Sequence, residues 1–361
     1  MRCIKNRTYQ KEVIEINKIR LVQWGLGNMG SGMAKMALQK EGIEVTGAID
    51  NSVDKVGRDL GEFLGLEQNG IIISDQPEQV IKDTQPDVVL LATSSFTREV
   101  FPFIKTIIRN EANCITIAEE AAYPAAQEPV LAQKIDELAK QNGVTVLGTG
   151  INPGFLLDTL IIALTGTCID VKKIKAVRVN DLSPFGLTVM KTQGVGTTPE
   201  EFKKGLEEGT IVGHIGFTES IYLIASAMGL TVDRVEQTKE PIISNVYRET
   251  PVVKVEPGMV AGCKHCAKGY VNGEVFIELE HPQQIHPEQE GVETGDYILI
   301  EGTPNINLTI KPEIPGGIGT IAMAVNMIPA VINAKPGLTT MKDLPVPASI
   351  MGDVRRLVVA E

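Results

Sequence analysis

Hydrophobic and polar positions in the first 150 residues form a repeating pattern of short apolar runs and longer mixed segments. The apolar runs predict strands at residues 19–24, 43–50, 71–74, 87–95, 114–117 and 144–150. The mixed segments predict helices at residues 31–40, 55–64, 99–109 and 128–141, and one that begins near residue 77. Strands that alternate with helices at this spacing predict an α/β domain with a doubly wound parallel sheet at residues 1–150.

The pattern changes after residue 150. Helices are predicted through residue 163, after residue 198 and at 217–228, with a strand at 174–180. Residues 241–310 are rich in strands, and Asn272-Gly273 is a favoured two-residue hairpin turn. We therefore predict a second, α+β domain at residues 151–310 with a mainly antiparallel open sheet. The strands in this part are predicted at residues 252–255, 259–270, 275–279, 297–301 and 305–310.

The C-terminal segment, residues 311–361, contains a run at 321–332 that is apolar on nearly every face. The run is shorter than the roughly 18 to 20 residues that a membrane span requires, so it is predicted to be a core helix. We expect this segment to return to the first domain. A mixed-charge lead-in precedes Ile19.

Length and charge narrow the class of protein. The chain has 361 residues, enough for two domains, and a net charge of −11, which argues against a nucleic-acid partner. Neither a membrane span nor the apolar core of a signal peptide is evident, so we expect a cytoplasmic protein. The five cysteines are an odd number in a long chain, which favours free thiols in a reducing compartment.

Three glycines follow the first predicted strand in the spacing G-x-G-x-x-G. Gly25 would permit a tight turn, Gly27 would let the backbone approach a pyrophosphate, and Gly30 would let the helix pack closely on the strand. Asp50 ends the second strand, where a carboxylate can accept a hydrogen bond from a ribose hydroxyl. These features predict a Rossmann dinucleotide-binding domain for NAD or NADP. The other predicted cofactor contacts are Asn28, Met29, Asn51, Thr93, Ser94 and Ala118.

Glu119 and Glu120 follow another predicted strand, at the edge where open α/β sheets bind their ligands. A carboxylate there could hold an ammonium group or act as a general base, and the alternative is a solvated pair. We favour Glu120, because strand alternation would place it on the same face as the small Ala118.

Four further residues are candidates for substrate binding. Asn152 lies at the domain junction, although it could be a plain turn residue. Thr197 and Thr198 begin a helix, where they could bind a substrate carboxylate or simply cap the helix. His214 lies among glycines, and its alternative is a buried structural histidine. A metal site is not expected, because the run C-K-H-C at residues 263–266 lacks a partner motif to complete four ligands.

Seven stretches of the sequence resemble the dihydrodipicolinate-reductase-like proteins, and among them the 2,4-diaminopentanoate dehydrogenases and native amine dehydrogenases. The resemblance covers nearly everything after Ile19. It implies NAD(P)-dependent oxidative deamination of an amine, with the reverse reductive amination of a ketone by ammonia, in a homodimer. The stretches are L-V-Q-W-G-L-G-N-M-G, A-I-D-N-S, A-E-E-A-A-Y-P, G-T-G-I-N-P-G-F-L-L-D, T-Q-G-V-G-T-T-P-E-E-F, G-H-I-G-F-T-E-S and G-G-I-G-T-I-A-M-A-V-N.

One departure bears on the substrate. Dihydrodipicolinate reductases carry a histidine-rich, lysine-containing run after the first strand of the second domain, whereas this chain reads V-R-V-N-D-L at residues 177–182. The proton donor of that reduction is missing, and G-T-T at residues 196–198 remains for a substrate carboxylate. A diamino acid such as 2,4-diaminopentanoate fits both observations. The alternatives are a reductase of a cyclic imine or carbonyl and a non-catalytic dinucleotide-binding protein.

Overall fold

The computed structural model describes residues 17–359. Most of the predicted lead-in, and the last two residues of the C-terminal segment, therefore lie outside the described residues. Among the described residues, no helix is long and apolar enough to cross a bilayer.

The first domain is built on parallel strands with helices on both faces, which confirms the predicted Rossmann fold class. Residues Val88–Leu91 are completely buried, as their continuous apolar run predicts. The strands are β1 (Ile19–Trp24), β2 (Ile43–Ile49), β3 (Ile73–Ser74), β4 (Val88–Leu91), β5 (Asn113–Thr116) and β6 (Thr145–Gly148), and the helices are α1 (Asn28–Leu38), α2 (Leu60–Phe63), α3 (Pro77–Thr84), α4 (Thr97–Arg109) and α5 (Pro129–Gln141).

Helix α2 is much shorter than the helix predicted at residues 55–64. The Asp59 side chain accepts a hydrogen bond from the Glu62 N–H and so defines the start of the helix at Leu60. Gly57, just before it, has a φ of +85°, which lies outside the helical region. The polar residues in the predicted first half of this helix therefore form turns.

The second domain contains a six-stranded sheet in the order β14-β13-β7-β12-β11-β8. Only β7 and β12 are parallel within it, so the predicted mainly antiparallel sheet is confirmed. Asn272 and Gly273 both have positive φ and form the predicted hairpin turn. The elements are α6 (Thr159–Thr165), β7 (Asp170–Asp181), α7 (Leu187–Thr192), α8 (Pro199–Glu207), α9 (Phe217–Ala227), β8 (Arg234–Ile243), β9 (Arg248–Glu249), β10 (Lys254–Val255), β11 (Val260–Val271), β12 (Glu274–Gln284), β13 (Gly295–Thr303) and β14 (Ile306–Ile310).

The C-terminal segment packs on the first domain. Its elements are α10 (Gly316–Asn326), α11 (Ile328–Ile332) and β15 (Gly337–Thr339). Helix α10 packs against α1, and β15 pairs in parallel with β6, which gives a seven-stranded sheet in the order β15-β6-β5-β4-β1-β2-β3. Two helices replace the single one predicted at residues 321–332, because Pro329 lacks the N–H that a continuous helix would need and instead occupies the first turn of α11.

Candidate active site

The glycine-rich turn between β1 and α1 has the close packing that the sequence predicts. Gly25 has a φ of +89°, and a Cβ atom at this position would lie 2.2 Å from the Ala92 carbonyl oxygen. A Cβ atom at Gly30 would lie 1.9 Å from the Gly25 carbonyl oxygen. A Cβ atom at Gly27 would meet nothing within 4 Å, so the backbone there stays open to a ligand. The turn is therefore a cradle that fits the pyrophosphate of a dinucleotide.

A cavity of about 660 Å³ lies beside this turn, and it is lined by Gly25, Asp50, Asn51, Thr93 and Ser94 among others. Asp50 Oδ2 accepts from the Leu26 N–H at 2.7 Å, and its Oδ1 accepts from the Ser52 N–H at 2.9 Å. Burial alone would raise the pKa of Asp50. These two hydrogen bonds, together with a hydrogen bond and the positive charge of Lys55, outweigh burial and hold the pKa below its ordinary value. The carboxylate is thus charged and fixed at the cavity wall.

Lys55 also lines this cavity, and its Nζ lies 3.0 Å from Asp50 Oδ2. The side chain is about four-fifths buried, so the ion pair is well sheltered from solvent. A cation beside Asp50 offsets the repulsion that the carboxylate alone would exert on a 2′-phosphate.

A second cavity, of about 610 Å³, lies between the two domains. The first domain contributes the glycine turn and the ends of β4 and β5. The second domain contributes the ends of β7 and β12 and the loop before α7. The lining includes the predicted residues Gly27, Asn28, Met29, Gly30, Thr93, Ser94, Glu119, Asn152 and His214, together with Ile117, Arg178, Asn180, Phe185, His281, Gln283, Gly316 and Gly317.

Glu119, not Glu120, lines this cavity. Burial, reinforced by the nearby Glu120 charge, raises the pKa of Glu119, and a hydrogen bond with the Ser95 side chain offsets this only in part. Glu120 Oε2 instead accepts from the Thr97 N–H at 2.8 Å, at the N-terminus of α4. The Glu120 carboxylate is therefore engaged in helix capping, and Glu119 is the one of the two that reaches the cavity.

Ala118, a predicted cofactor contact, lines neither cavity. Ala118 is buried in the hydrophobic core beneath the sheet, and Ile117 lines the cavity in its place. Strand β5 ends at Thr116, and residues 119–122 form a 3₁₀ turn. The alternation of side chains that we extended to residue 120 thus does not hold beyond the strand.

The wall contributed by the second domain is polar and buried. Arg178 Nη1 forms an ion pair with Asp296 Oδ1 at 2.7 Å, and Arg178 also donates to the Ile314 carbonyl. The Oδ1 of Asn180 and the Nε2 of His281 are buried, without a hydrogen-bond partner in the part of the chain that the structure describes. Buried polar atoms without partners are unfavourable, so these atoms are suited to a polar ligand.

Three histidines pack together behind and beside this wall. The His265 Nδ1 accepts from the His214 N–H at 3.0 Å, so its other nitrogen carries the proton and donates to Gln237 Oε1. Burial lowers the pKa of both His214 and His265 to about 3. The His281 ring stacks edge-on against His214 at 4.8 Å between ring centroids, and burial lowers its pKa as well. All three rings are therefore neutral at physiological pH.

The Asn152 and His214 side chains are both at this cavity. Both polar atoms of the Asn152 amide and the His214 Nε2 are buried, without a partner among residues 17–359. The structure thus brings these two predicted residues together with Glu119.

Thr197 and Thr198, by contrast, do not line either cavity described above. The Thr198 hydroxyl accepts from the Glu201 N–H, and the Glu201 carboxylate accepts from the Thr198 N–H, which is a complete capping box for α8. The Thr197 hydroxyl donates to the Gly194 carbonyl at 2.6 Å. Both hydroxyls therefore stabilise local backbone, and the anchoring of a substrate carboxylate by these residues stays a prediction.

Sequence reasoning missed the second-domain wall of the cavity. Arg178 and Asn180 lie on the inward face of β7, two residues apart, and His281 and Gln283 do the same on β12. Polar residues at the inward positions of alternating strands are a detectable signal, since such positions are otherwise apolar.

Two family models match the chain. The model for the N-terminus of dihydrodipicolinate reductase matches residues 19–116. The model for the C-terminal domain of 2,4-diaminopentanoate dehydrogenase matches residues 155–360, more than half of the chain. The first match lies within the first domain, and the second covers the second domain and the C-terminal segment.

Three amine dehydrogenases are similar to this chain over nearly its full length. The 2,4-diaminopentanoate dehydrogenase of Acetoanaerobium sticklandii is 52% identical, over 96% of this chain and 99% of its own. An amine dehydrogenase of Streptomyces virginiae is 25% identical, over 92% of this chain and 98% of its own. The structure of an amine dehydrogenase from Mycobacterium smegmatis superposes with a TM-score of 0.83 at 29% identity, over 93% of this chain and 98% of that one. The chain therefore belongs to the 2,4-diaminopentanoate dehydrogenase family, and residues 19–116 share the N-terminal domain of dihydrodipicolinate reductase.

Proposed function

We propose that this protein catalyses the NAD(P)-dependent oxidative deamination of 2,4-diaminopentanoate to 2-amino-4-oxopentanoate and ammonia, and the reverse reductive amination. The observation that carries the proposal is the position of Glu119, a carboxyl with a raised pKa at the cavity between the nucleotide cradle and the second domain. The 52% identity to a protein of that name supports the choice of substrate.

The reaction assigns a proton-transfer role to Glu119. The substrate enters as an ammonium ion, and the Glu119 carboxylate accepts a proton from it and holds the neutral amine. Bound NAD(P)⁺ supplies the redox chemistry by accepting a hydride from the carbon that carries the amine. After this proton has passed to solvent, Glu119 accepts a proton from the water that adds to the resulting iminium carbon and returns it to the amino nitrogen. Ammonia then leaves and takes up the hydroxyl proton as ammonium. The reaction balances. Its reactants are the substrate ammonium ion, the oxidised cofactor and water, and its products are the ketone, ammonium, the reduced cofactor and one proton.

The second-domain wall is proposed to bind the amino-acid end of the substrate. Gln283 Nε2 lies 3.3 Å from His281 Nδ1, and an amide nitrogen can only donate. The proton of the neutral His281 ring is therefore on the buried Nε2, which is a donor suited to a carboxylate. Asn180 and Asn152 offer further polar atoms at the same cavity.

His281→Leu is expected to raise the KM for 2-amino-4-oxopentanoate by about tenfold or more, the scale of one lost hydrogen bond to a charged group. The KM for a simple ketone without a carboxylate should change little, because that substrate has no group for Nε2 to bind. Steady-state amination rates with both substrates measure the difference. Thr198→Val is the control: it removes a helix cap far from the proposed anchor, so it should leave the ratio of the two KM values unchanged. Equal losses for both substrates in His281→Leu would contradict this role.

For the cofactor, we propose that the protein uses both NAD and NADP. Asp50 suits a ribose hydroxyl, and Lys55 supplies the positive charge that a 2′-phosphate needs. Lys55→Met is expected to raise the KM for NADP by about tenfold or more relative to that for NAD. Arg58→Met is the matched control, because the Arg58 guanidinium packs over the Phe63 ring at 5.2 Å and does not line the cavity. A proportional change for both cofactors in Lys55→Met would contradict the proposal.

The assay that tests the function follows NAD(P)H oxidation with 2-amino-4-oxopentanoate, with and without ammonia. Ammonia-dependent oxidation of the cofactor is the expected result. A reductase of a cyclic imine or carbonyl would need no ammonia, and a non-catalytic dinucleotide-binding protein would bind the cofactor without turnover.

We also propose that the protein forms a homodimer in the cytoplasm. Lys173, Lys175, Glu278 and Glu280 pair across strands on the face of the six-stranded sheet opposite its core, a self-complementary surface for a second copy. Sedimentation velocity would test the dimer. The four cysteines of the described residues are free, which supports a reducing compartment.

A further inference from the structure

Glu219 is a buried carboxyl that the mechanism above does not use. It lies in the first turn of α9, and its side chain is 1% exposed. Its Oε1 accepts from the Gln127 Nε2 at 2.6 Å. Its Oε2 is buried and has no hydrogen-bond partner in the described part of the chain. A buried carboxyl with one unpaired oxygen lowers the stability of the fold, so a role in the reaction is the better explanation for its presence.

The position of Glu219 relates it to the reacting centre. Helix α9 packs directly on the 3₁₀ turn Glu119–Ala122, which carries Glu119 into the cavity. Burial raises the pKa of Glu219 to about 7, and the charges of Glu120 and Glu119 raise it in the same sense. Glu219 therefore lies within electrostatic range of Glu119, and two acids that interact in this way titrate as a coupled pair.

Helix α6, strand β11 and the 3₁₀ turn Pro124–Ala126 also pack against α9, and the last of these contains no titratable side chain. Helix α6 brings the Asp158 carboxylate, which accepts from the Ser220 hydroxyl at 2.9 Å, next to Glu219 in sequence. Strand β11 brings His265, whose ring packs on Phe217 and whose low pKa keeps it neutral. The environment of Glu219 is thus set by carboxyls and by the Gln127 amide.

We propose that Glu219 is a positioning residue that sets the charge of Glu119 by holding or releasing a proton behind it. The inference rests on the proposed function, which gives Glu119 its role. The reaction releases one net proton at each deamination, and a second carboxyl beside Glu119 provides a place for that proton in a buried site. The proton moves from a Glu119 carboxyl oxygen to a Glu219 carboxyl oxygen, so one O–H bond breaks as the other forms.

Glu219→Gln tests the inference, because glutamine keeps the shape and the hydrogen bond from Gln127 while removing the charge. Glu219 gains its charge near pH 7, next to the residue that holds the substrate amine, so the wild-type kcat/KM profile for deamination should contain a step near that pH. Glu219→Gln stays neutral at every pH, so this step should disappear from the profile of the variant. Affinity for NAD(P)H should not change.

Glu201→Gln is the matched control, since Glu201 occupies the same helix position in α8 and caps that helix away from the cavity. It should lower thermal stability and leave the pH profile unchanged. Gln127→Leu gives a second test should Glu219→Gln fail to fold: without this donor Glu219 stays neutral to higher pH, so the same step should move to higher pH. An unchanged profile in an active enzyme overturns the inference alone, whereas a wild-type protein without ammonia-dependent activity overturns the proposed function.

Discussion

Glu119→Gln is expected to lower kcat for deamination by about 10²-fold or more, the usual scale for a lost general base. The amide keeps the shape of the side chain but cannot accept a proton from the substrate ammonium or from water. Affinity for NAD(P)H should stay intact, because the glycine cradle and Asp50 are untouched. Initial rates in both directions, with cofactor affinity from fluorescence titration, measure the two quantities separately.

Glu120→Gln is the matched control one residue away. Its carboxylate caps α4 by accepting from the Thr97 N–H, so the variant should lose about 0.5–2 kcal/mol of stability, as weakened helix caps do, and keep most of its activity. The reverse ranking, with Glu120→Gln nearly inactive and Glu119→Gln nearly normal, would show that the catalytic assignment made from this structure is wrong.

Arg178→Met is expected to lower the free energy of unfolding by about 3–5 kcal/mol, the range for removing one partner of a buried ion pair. Arg178 and Asp296 are 2% and 1% exposed, so the variant would leave an uncompensated carboxylate in the core of the second domain. The Asp296 Oδ2 also accepts from the Ile314 N–H at 2.9 Å, and Arg178 donates to the carbonyl of the same residue. The pair therefore joins β7 and β13 to the segment that enters α10. Urea denaturation of the variant and the wild type gives the difference.

Two comparisons make that result interpretable. The double variant with Arg178→Met and Asp296→Leu should recover much of the lost stability, because both charges are then removed together. Lys82→Met should change stability by less than about 1 kcal/mol, since Lys82 pairs with Glu78 on an exposed helix surface. An Arg178→Met protein as stable as the wild type would contradict a structural role for the buried pair.

Local chemistry explains which parts of the fold and site were predictable. The glycine turn could be predicted because each glycine meets a steric demand set by neighbours within the same βαβ unit, such as Gly30 against the Gly25 carbonyl. The hairpin at Asn272-Gly273 is equally local. The choice between Glu119 and Glu120 could not be predicted, because it depends on where β5 ends, and element ends are the least certain part of any sequence prediction.

The second-domain wall was missed for a different reason. Strand β12 was predicted to end at Leu279, because its apolar run stops there and Pro282 is unexpected in a central strand. The strand nevertheless continues to Gln284, and His281 and Gln283 remain in phase with the buried Ile277 and Leu279. Thr198 is a different case: its capping motif is visible in the sequence, and the fold is needed to see that the residue lies at neither cavity.

The pairing of β15 with β6 has a consequence for the order in which the molecule can be assembled. The first domain is discontinuous in sequence, since Gly337–Thr339 completes a sheet that begins at Ile19, and the second domain is inserted between them. During synthesis from the N-terminus, the six-stranded sheet has all of its strands once Ile310 has been added. The seven-stranded sheet must wait for a strand added later, so the nucleotide-binding half of the enzyme is the last to acquire its complete architecture.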